Sequence, residues 1–193
     1  MSKTNIALDV DGVLRNIISS SIRAYILNGG HKQLRYADVK NYDFKEQFEI
    51  KDFENFFRSN AETIFLNAKP MPYIHEVKKL PQYGNIQIIT SQFKGLEDLT
   101  LQWLNKYEIP YDELHFTWNK NLVKTDILLD DYPNNLNKMP SNVIKVCYDC
   151  PYNRTTWSGL RVKNMKEFVG LIEKLDNDKK EIKRLGILGS DEC

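Results

Sequence analysis

The sequence predicts an α/β fold: a doubly wound parallel sheet in three α/β/α layers, with a helical cap inserted after the first strand. Short, continuous apolar runs alternate with stretches of helical period, and acidic residues directly follow two of the apolar runs. With 193 residues, the chain is long enough to bury a core and carry a smaller insert.

The predicted strands are residues 6–8 with Val10, 86–89, 127–129 and 143–146. Each run is short, rich in β-branched residues and apolar at consecutive positions, which is typical of strands covered on both faces. Between them, residues 73–80, 96–107 and 165–175 carry apolar residues at helical spacing. Strands that alternate with helices indicate a parallel sheet.

Residues 17–69 interrupt this alternation with a predicted helix (residues 17–27), a Gly29-Gly30 stop and an aromatic-rich run. We expect a helical cap here, over the carboxyl ends of the strands where open α/β sheets bind ligands. The predicted division is therefore a core of residues 1–16 and 70–176, a cap of residues 17–69, and a charged C-terminal tail of residues 177–193.

Composition narrows the classes of partner. The 27 basic and 26 acidic residues give a formal net charge of +1, which argues against a broad surface for extended nucleic acid. No apolar run approaches the roughly 20 residues that span a bilayer. Because the first residues lead directly into the first predicted strand, we expect no secretory signal. Three cysteines suggest a reducing compartment, so we expect a cytoplasmic protein in which Cys147 and Cys150 are ordinary thiols.

The first motif is Asp9-Val10-Asp11-Gly12, directly after the first apolar run. A tight turn can bring both carboxylates to one rim, and Gly12 lets the backbone bend close to a ligand. Such a pair can bind a divalent metal, or act as nucleophile and proton shuttle. Taken alone, the pattern also fits a turn that carries two solvated acids.

The second motif is Asp130-Asp131, an acidic pair that ends another apolar run. Adjacent acids repel each other unless a cation or hydrogen bonds relieve the repulsion. Asp131 alone could cap the helix that follows. Four acids at the ends of two parallel strands, however, together predict one magnesium site.

These motifs resemble those of the haloacid dehalogenase (HAD)-type phosphohydrolases and, within them, the 5′(3′)-deoxyribonucleotidase family. The first and fourth motifs of that superfamily match residues 9–14 and Asp130-Asp131. Its second motif matches an apolar strand ending in Thr90, followed by Ser91. Its third, a lysine, fits Lys120 in the Thr-x-x-Lys pattern better than it fits Lys124.

The resemblance implies a HAD-like, Rossmann-type fold and a magnesium-dependent phosphomonoesterase acting on a nucleoside monophosphate. Asp9 would be the nucleophile, transiently phosphorylated, and Asp11 would protonate the leaving oxygen and later deprotonate water. The implied Mg²⁺ ligands are Asp9, Asp130 and the main-chain carbonyl of Asp11. The family also often forms homodimers.

The resemblance assigns supporting roles as well. Lys120 and the Thr90 hydroxyl would neutralise phosphate charge, Ser91 would contact phosphate or sugar, and Asp131 would orient the metal or its waters. The chain differs from the family pattern at Arg15 and at Tyr132, two positions that bear on the leaving group.

Aromatic residues of the predicted cap are candidates for base recognition. Tyr42 and Phe44 are assigned to substrate binding, because nucleobases stack on aromatic faces. Phe53, Phe56 and Phe57 stand at helical spacing, which favours a small core within the cap. Residues 151–154 follow the last strand and could bring Asn153 or Arg154 near the substrate.

Three other functions fit the same residues. A phosphatase for a sugar phosphate or a nucleic-acid 3′-phosphate would keep the chemistry and change the substrate. A phosphotransferase would use the same aspartyl-phosphate. A receiver-like signalling domain also places acids and magnesium at strand ends, but it would be shorter and lack the large insert.

Overall fold

The computed structural model describes residues 3–42, 45–48 and 50–184. Its sheet has six strands, all parallel, in the order β3-β2-β1-β4-β5-β6. The strands are β1 (Thr4–Leu8), β2 (Gly84–Thr90), β3 (Glu113–Phe116), β4 (Ile127–Asp130), β5 (Ile144–Tyr148) and β6 (Arg161–Val162).

The four predicted strands are β1, β2, β4 and β5, and β3 and β6 were not predicted. Both additional strands lie at the edges of the sheet. β3 reads Glu-Leu-His-Phe, without the continuous apolar run of a central strand, and β6 has only two residues. Edge strands are covered less completely than central ones, so their sequences carry a weaker signal.

The α-helices are α1 (Ile17–Leu27), α2 (Lys45–Phe48), α3 (Phe53–Ser59), α4 (Glu97–Lys106), α5 (Pro133–Lys138) and α6 (Met165–Arg184). Residues predicted as a helix at 73–80 form a 3-10 helix, Ile74–Gln82, which contains Pro81. Helix α6 continues into the predicted tail, whose residues from 185 onward, including Cys193, lie outside the described ranges.

Apolar side chains cover both faces of the sheet, as a three-layer fold requires. In β1, Ile6 and Leu8 belong to the larger hydrophobic cluster, whereas Ala7 between them belongs to a second cluster with Leu136 and Met139. Alternate residues of a strand point to opposite faces. The predicted doubly wound α/β fold is therefore confirmed.

The segment predicted as a cap contains α1, a 3-10 turn (Tyr36–Asp38), α2, α3 and a π-helix (Glu62–Leu66). Its buried side chains, among them Ile18, Phe57 and Ile64, share one hydrophobic cluster with the sheet. The division into core and cap stays a prediction. Among the described residues, every helix is too short or too polar to cross a membrane.

Candidate active site

Strand register brings the two acidic motifs together. Leu8 of β1 pairs with Leu129 of β4, and the Asp9 amide donates to the Leu129 carbonyl at 3.0 Å. The next residues, Asp9 and Asp130, therefore leave neighbouring parallel strands side by side. This is the switch point of the sheet, since the chain continues from β1 to β2 on one side and β4 lies on the other.

Three carboxylates and one ammonium group meet at this edge. Oxygens of Asp9, Asp130 and Asp131 lie within 4.8 Å of one another, and all three residues are buried. Lys120 Nζ lies 2.8 Å from Asp9 Oδ2 and 2.7 Å from Asp130 Oδ2. Lys120 is 3% exposed, whereas Lys124 is exposed at the surface. The geometry thus brings Lys120, rather than Lys124, to the acids.

Burial dominates the electrostatics of this group. It raises the pKa of Asp9 to about 7, with further increases from Asp130 and Asp11, although Lys120 opposes the shift. Burial, and then the charges of Asp130 and Asp9, also raise the pKa of Asp131 well above its usual range. Burial lowers the pKa of Lys120, but Asp130 and Asp9 outweigh it and the net shift is upward. One lysine does not balance three acids, which favours an additional cation.

The donor set fits a divalent cation. Asp131 Oδ1 is buried and has no hydrogen-bond partner among the described residues, and unsatisfied buried oxygens are costly. Carboxylate oxygens are also the ligands that Mg²⁺ prefers. The carboxylate of Asp131 thus joins those of Asp9 and Asp130, whereas the side chain of Asp11, predicted to bind through its main-chain carbonyl, is not in this cluster.

Loops after the strands hold the carboxylates in place. Asp130 Oδ1 accepts from the Tyr132 amide at 2.8 Å, and Asn135 Nδ2 lies 3.1 Å from Asp130 Oδ2. The Tyr152 hydroxyl donates to Asp131 Oδ2 in a very short contact, and Asn153 Nδ2 donates to the Asp131 carbonyl at 2.7 Å. These bonds orient both acids of the second motif.

Gly12 is required by this packing. Its φ of +85° suits glycine, and a Cβ atom there would lie 2.0 Å from Asp131 Oδ2. The turn after β1 therefore approaches the acidic pair after β4 as closely as the backbone allows.

Asp11 points to a different partner. Its carboxylate accepts from Arg15 Nε at 2.7 Å and from Arg15 Nη2 at 2.9 Å. Arg15 is fully buried, whereas Asp11 is partly exposed and lines the same cavity as Asp9. Asp11 is thus placed beside the other acids without joining their cluster.

Thr90 is the last residue of β2, the strand on the other side of β1, and Ser91 follows it. Both line the cavity, and Thr90 is buried. Ser91 Oγ donates to the Thr117 carbonyl at 3.1 Å, which fixes the loop. The second predicted motif therefore reaches the same opening as the acidic residues.

A cavity of about 390 Å³ opens above these residues. Its aromatic wall is formed by Tyr42, Phe53, Phe57, Phe65, Phe93, Trp118, Tyr132 and Tyr152. Tyr42 stacks on Tyr132 with ring centres 3.8 Å apart and meets Tyr152 edge-on. Phe53 and Phe57 pack against each other and also line the cavity, so the two predicted roles coexist. Phe44 lies outside the described residues.

Arg154 and the two buried cysteines, which the sequence also singled out, lie outside the acidic cluster. Arg154 is exposed and pairs with Asp149. Cys147 and Cys150 are free and buried, and burial raises the pKa of Cys147 to about 12. Asn135 and Tyr152 were not assigned to the site from sequence, whereas Asn153 was named as a residue near the substrate and contacts the Asp131 carbonyl. The turn after β5 was flagged, but its contact with Asp131 depends on distant packing that no local motif reports.

Comparison with known proteins agrees with this geometry. Residues 3–177 match the family described as "5' nucleotidase, deoxy (Pyrimidine), cytosolic type C protein". A 5'(3')-deoxyribonucleotidase of Bacillus subtilis is 29% identical over 170 residues, covering 86% of this chain and 96% of that protein. One from Clostridium acetobutylicum is 27% identical over 187 residues, covering 91% and 98%.

Solved structures show the same fold. A haloacid dehalogenase-like family hydrolase from Streptococcus pneumoniae superimposes with a TM-score of 0.59 at 12% identity, covering 88% of this chain and 98% of that one. The family match extends over both acidic motifs, Thr90, Ser91 and Lys120. The chain therefore belongs to this deoxy-type 5'-nucleotidase family and is a phosphoric monoester hydrolase.

Proposed function

We propose that the protein is a magnesium-dependent phosphatase for nucleoside monophosphates, foremost 5′(3′)-deoxyribonucleotides, and that it acts through an aspartyl-phosphate at Asp9. One observation carries the proposal: Asp9 directly follows the central strand β1, contacts Lys120 and lines a cavity with an aromatic wall. The names of the related deoxyribonucleotidases support the substrate class.

The first step needs charge neutralisation, because a phosphate dianion repels an incoming carboxylate. Lys120 supplies a fixed ammonium group 2.8 Å from Asp9 Oδ2, and the Thr90 hydroxyl offers a neighbouring donor. Asp9 is oriented by the Val10 amide, which donates to its Oδ1 at 2.7 Å. Attack by Asp9 forms the bond to phosphorus while the bond to the ester oxygen breaks.

Asp11 is the proposed general acid and general base. Lining the same cavity, it gives a proton to the departing ester oxygen in the first step. In the second step it takes a proton from water, whose oxygen attacks phosphorus as the bond to Asp9 breaks. Inorganic phosphate results, Asp9 is again a carboxylate, and Asp11 is again the protonated carboxylic acid in which it began the cycle.

A Mg²⁺ ion would be held by Asp9, Asp130 and the Asp11 carbonyl, with Asp131 as a further ligand or as a partner of its waters. When bound, it supplies positive charge that stabilises the transferring phosphoryl group. The unsatisfied Asp131 oxygen and the excess of buried acids support this assignment.

The cavity wall supports a nucleoside as the leaving group. Aromatic side chains can stack on every type of nucleobase. The cavity volume of about 390 Å³ is typical of a small-ligand site. Tyr42, Trp118 and Tyr132 are partly or largely accessible for such contact. The cytoplasmic location and the homodimer stay predictions from the sequence.

The test is phosphate release from deoxy- and ribonucleoside monophosphates, sugar phosphates and an aryl phosphate, with Mg²⁺ and with chelator. We expect Mg²⁺-dependent release that favours deoxynucleotides. Preference for a sugar phosphate would replace the substrate assignment and keep the chemistry. No release from any ester, with slow autophosphorylation from a small phosphodonor, would point to the receiver-like alternative.

A further inference from the structure

Arg15 is a fully buried cation whose guanidinium forms a two-pronged ion pair with Asp11. Nε lies 2.7 Å from Asp11 Oδ1, and Nη2 lies 2.9 Å from Asp11 Oδ2. The Arg15 side chain is 0% exposed, whereas the Asp11 side chain is 22% exposed. The pair therefore extends from the protein interior to the cavity wall, and a pair with only a packing role would not need to open into the cavity.

Groups from two distant segments hold the rest of the guanidinium. Nη1 donates to the Phe65 carbonyl at 3.1 Å, and Nη2 donates to Thr100 Oγ1 at 3.2 Å. The guanidinium carbon also lies 5.0 Å from the centre of the Phe65 ring and 5.6 Å from that of Trp103. Because a guanidinium is planar and its donors have fixed directions, these contacts also fix the plane of the Asp11 carboxylate.

The contacts of Arg15 also connect it to a second part of the cavity wall. Thr100 Oγ1 also accepts from Gln92 Nε2 at 2.9 Å, and Gln92 lines the cavity next to Ser91. One buried hydroxyl thus links the arginine behind Asp11 with the loop after β2. Displacement of Arg15 would disturb the carboxylate first and this loop second.

We propose that Arg15 is a positioning residue for Asp11, holding its carboxyl group at the cavity wall in the orientation needed for proton exchange with the substrate. This role rests on the proposed function. Each carboxylate oxygen has two lone pairs and Arg15 engages one on each, so one per oxygen is left for the reaction. Asp11 enters the first step as the carboxylic acid, with its proton on one of these free lone pairs. It gives that proton to the departing ester oxygen and recovers a proton from the attacking water in the second step.

The test compares two substrates that differ in their need for a proton. The alkoxide of a deoxynucleoside 5′-monophosphate must be protonated as it leaves, whereas the nitrophenolate of p-nitrophenyl phosphate leaves without a proton. The ratio kcat/KM reports steps up to the first irreversible one, which includes phosphorylation of Asp9. For Arg15→Met we expect kcat/KM to fall about 100-fold with the nucleotide and less than about 3-fold with the aryl phosphate.

Arg15→Lys keeps the charge without the two-pronged contact, and we expect it to recover part of the nucleotide rate. Equal losses with both substrates, or an unchanged nucleotide rate, would overturn the positioning role. A wild-type protein inactive on both esters would instead contradict the proposed function and this role with it.

Removal of a buried arginine can prevent folding, which a thermal unfolding scan of each variant would reveal. If Arg15→Met does not fold, Thr100→Val decides the question. This variant removes one acceptor of Arg15 at nearly constant volume. We expect its kcat/KM to fall about 5-fold with the nucleotide and to stay nearly unchanged with the aryl phosphate. If a folded Thr100→Val protein lost kcat/KM equally with both substrates, or with neither, the proposal would be overturned.

Arg161→Met is the matched control. Arg161 also distributes its guanidinium over several acceptors, including Asp149 Oδ1 at 2.9 Å and the Trp157 carbonyl at 3.1 Å. None of these acceptors is a group of Asp11. We expect Arg161→Met to lower the melting temperature and to leave the ratio of the two kcat/KM values unchanged. A change in this ratio as large as that of Arg15→Met would overturn the proposed specificity for Asp11.

Discussion

Lys120 Nζ lies 2.8 Å from Asp9 Oδ2 and 2.7 Å from Asp130 Oδ2, so one buried ammonium joins the acids of two neighbouring strands. Strand register explains the meeting of Asp9 and Asp130, but the lysine comes from a 3-10 turn (Lys120–Leu122) before β4. This position supports the proposal that Lys120 supplies the positive charge for the attack of Asp9.

Lys120→Met should lower kcat at least about 100-fold, because a fixed charge on the transferring phosphoryl group is lost. It should also destabilise the metal-free protein, since buried acids lose their partner. Lys124→Met is the control, because Lys124 is exposed. The activity of this variant should match that of the wild type. Rates of the Lys120 variant within a few-fold of the control would contradict the assignment.

Added Mg²⁺ should raise the melting temperature more at about pH 8.5 than at about pH 5.5. Burial raises the pKa of Asp9 to about 7, so below that value a proton competes with the cation, and above it the carboxylate is free to bind. Differential scanning fluorimetry with and without chelator measures the effect. Asp130→Asn should abolish it, and a larger Mg²⁺ effect at the lower pH would count against the site.

Tyr132→Ala should raise KM for nucleotides about 5- to 160-fold, because base stacking contributes about 1–3 kcal/mol. Tyr132 lines the cavity and stacks on Tyr42 at 3.8 Å. Tyr73→Ala is the control, since Tyr73 is exposed and is not part of the cavity lining. Steady-state kinetics with one deoxynucleotide suffices, and an unchanged KM would place the base elsewhere.

Gly12→Ala should lower the free energy of unfolding by more than about 1 kcal/mol beyond the strain of its φ. The new Cβ would lie 2.0 Å from Asp131 Oδ2. Gly95→Ala separates the two effects: Gly95 has a φ of +86°, and a Cβ there would meet nothing within 4 Å. Urea unfolding of both variants is the measurement, and equal losses would show that contact with Asp131 is unimportant.

The sequence was most informative where chemistry and strand ends coincide. Asp9 and Asp130 each follow a continuous apolar run, and neighbouring parallel strands bring such ends together, so their meeting was predictable. The edge strands β3 and β6 were not, because their residues lack that run.

Long-range side-chain contacts were beyond local patterns. Arg15 was noticed as unusual, but its role depends on Phe65 and Thr100, which are 50 and 85 residues away in the chain. The link between Tyr152 and Asp131 likewise spans two loops. Such contacts follow from the packing of the whole fold, whereas motif spacing reports only what lies within one turn.

The most direct test of the central claim is detection of a phosphoryl group on Asp9. Asp11→Asn should slow hydrolysis of the aspartyl-phosphate, so the protein is mixed with p-nitrophenyl phosphate and Mg²⁺, quenched in acid, digested and analysed by mass spectrometry. We predict one added phosphoryl group on the peptide that contains Asp9, and none in an Asp9→Asn, Asp11→Asn double variant. Phosphate release by the wild type, with no modified peptide and with activity retained by Asp9→Asn, would contradict Asp9 as the nucleophile.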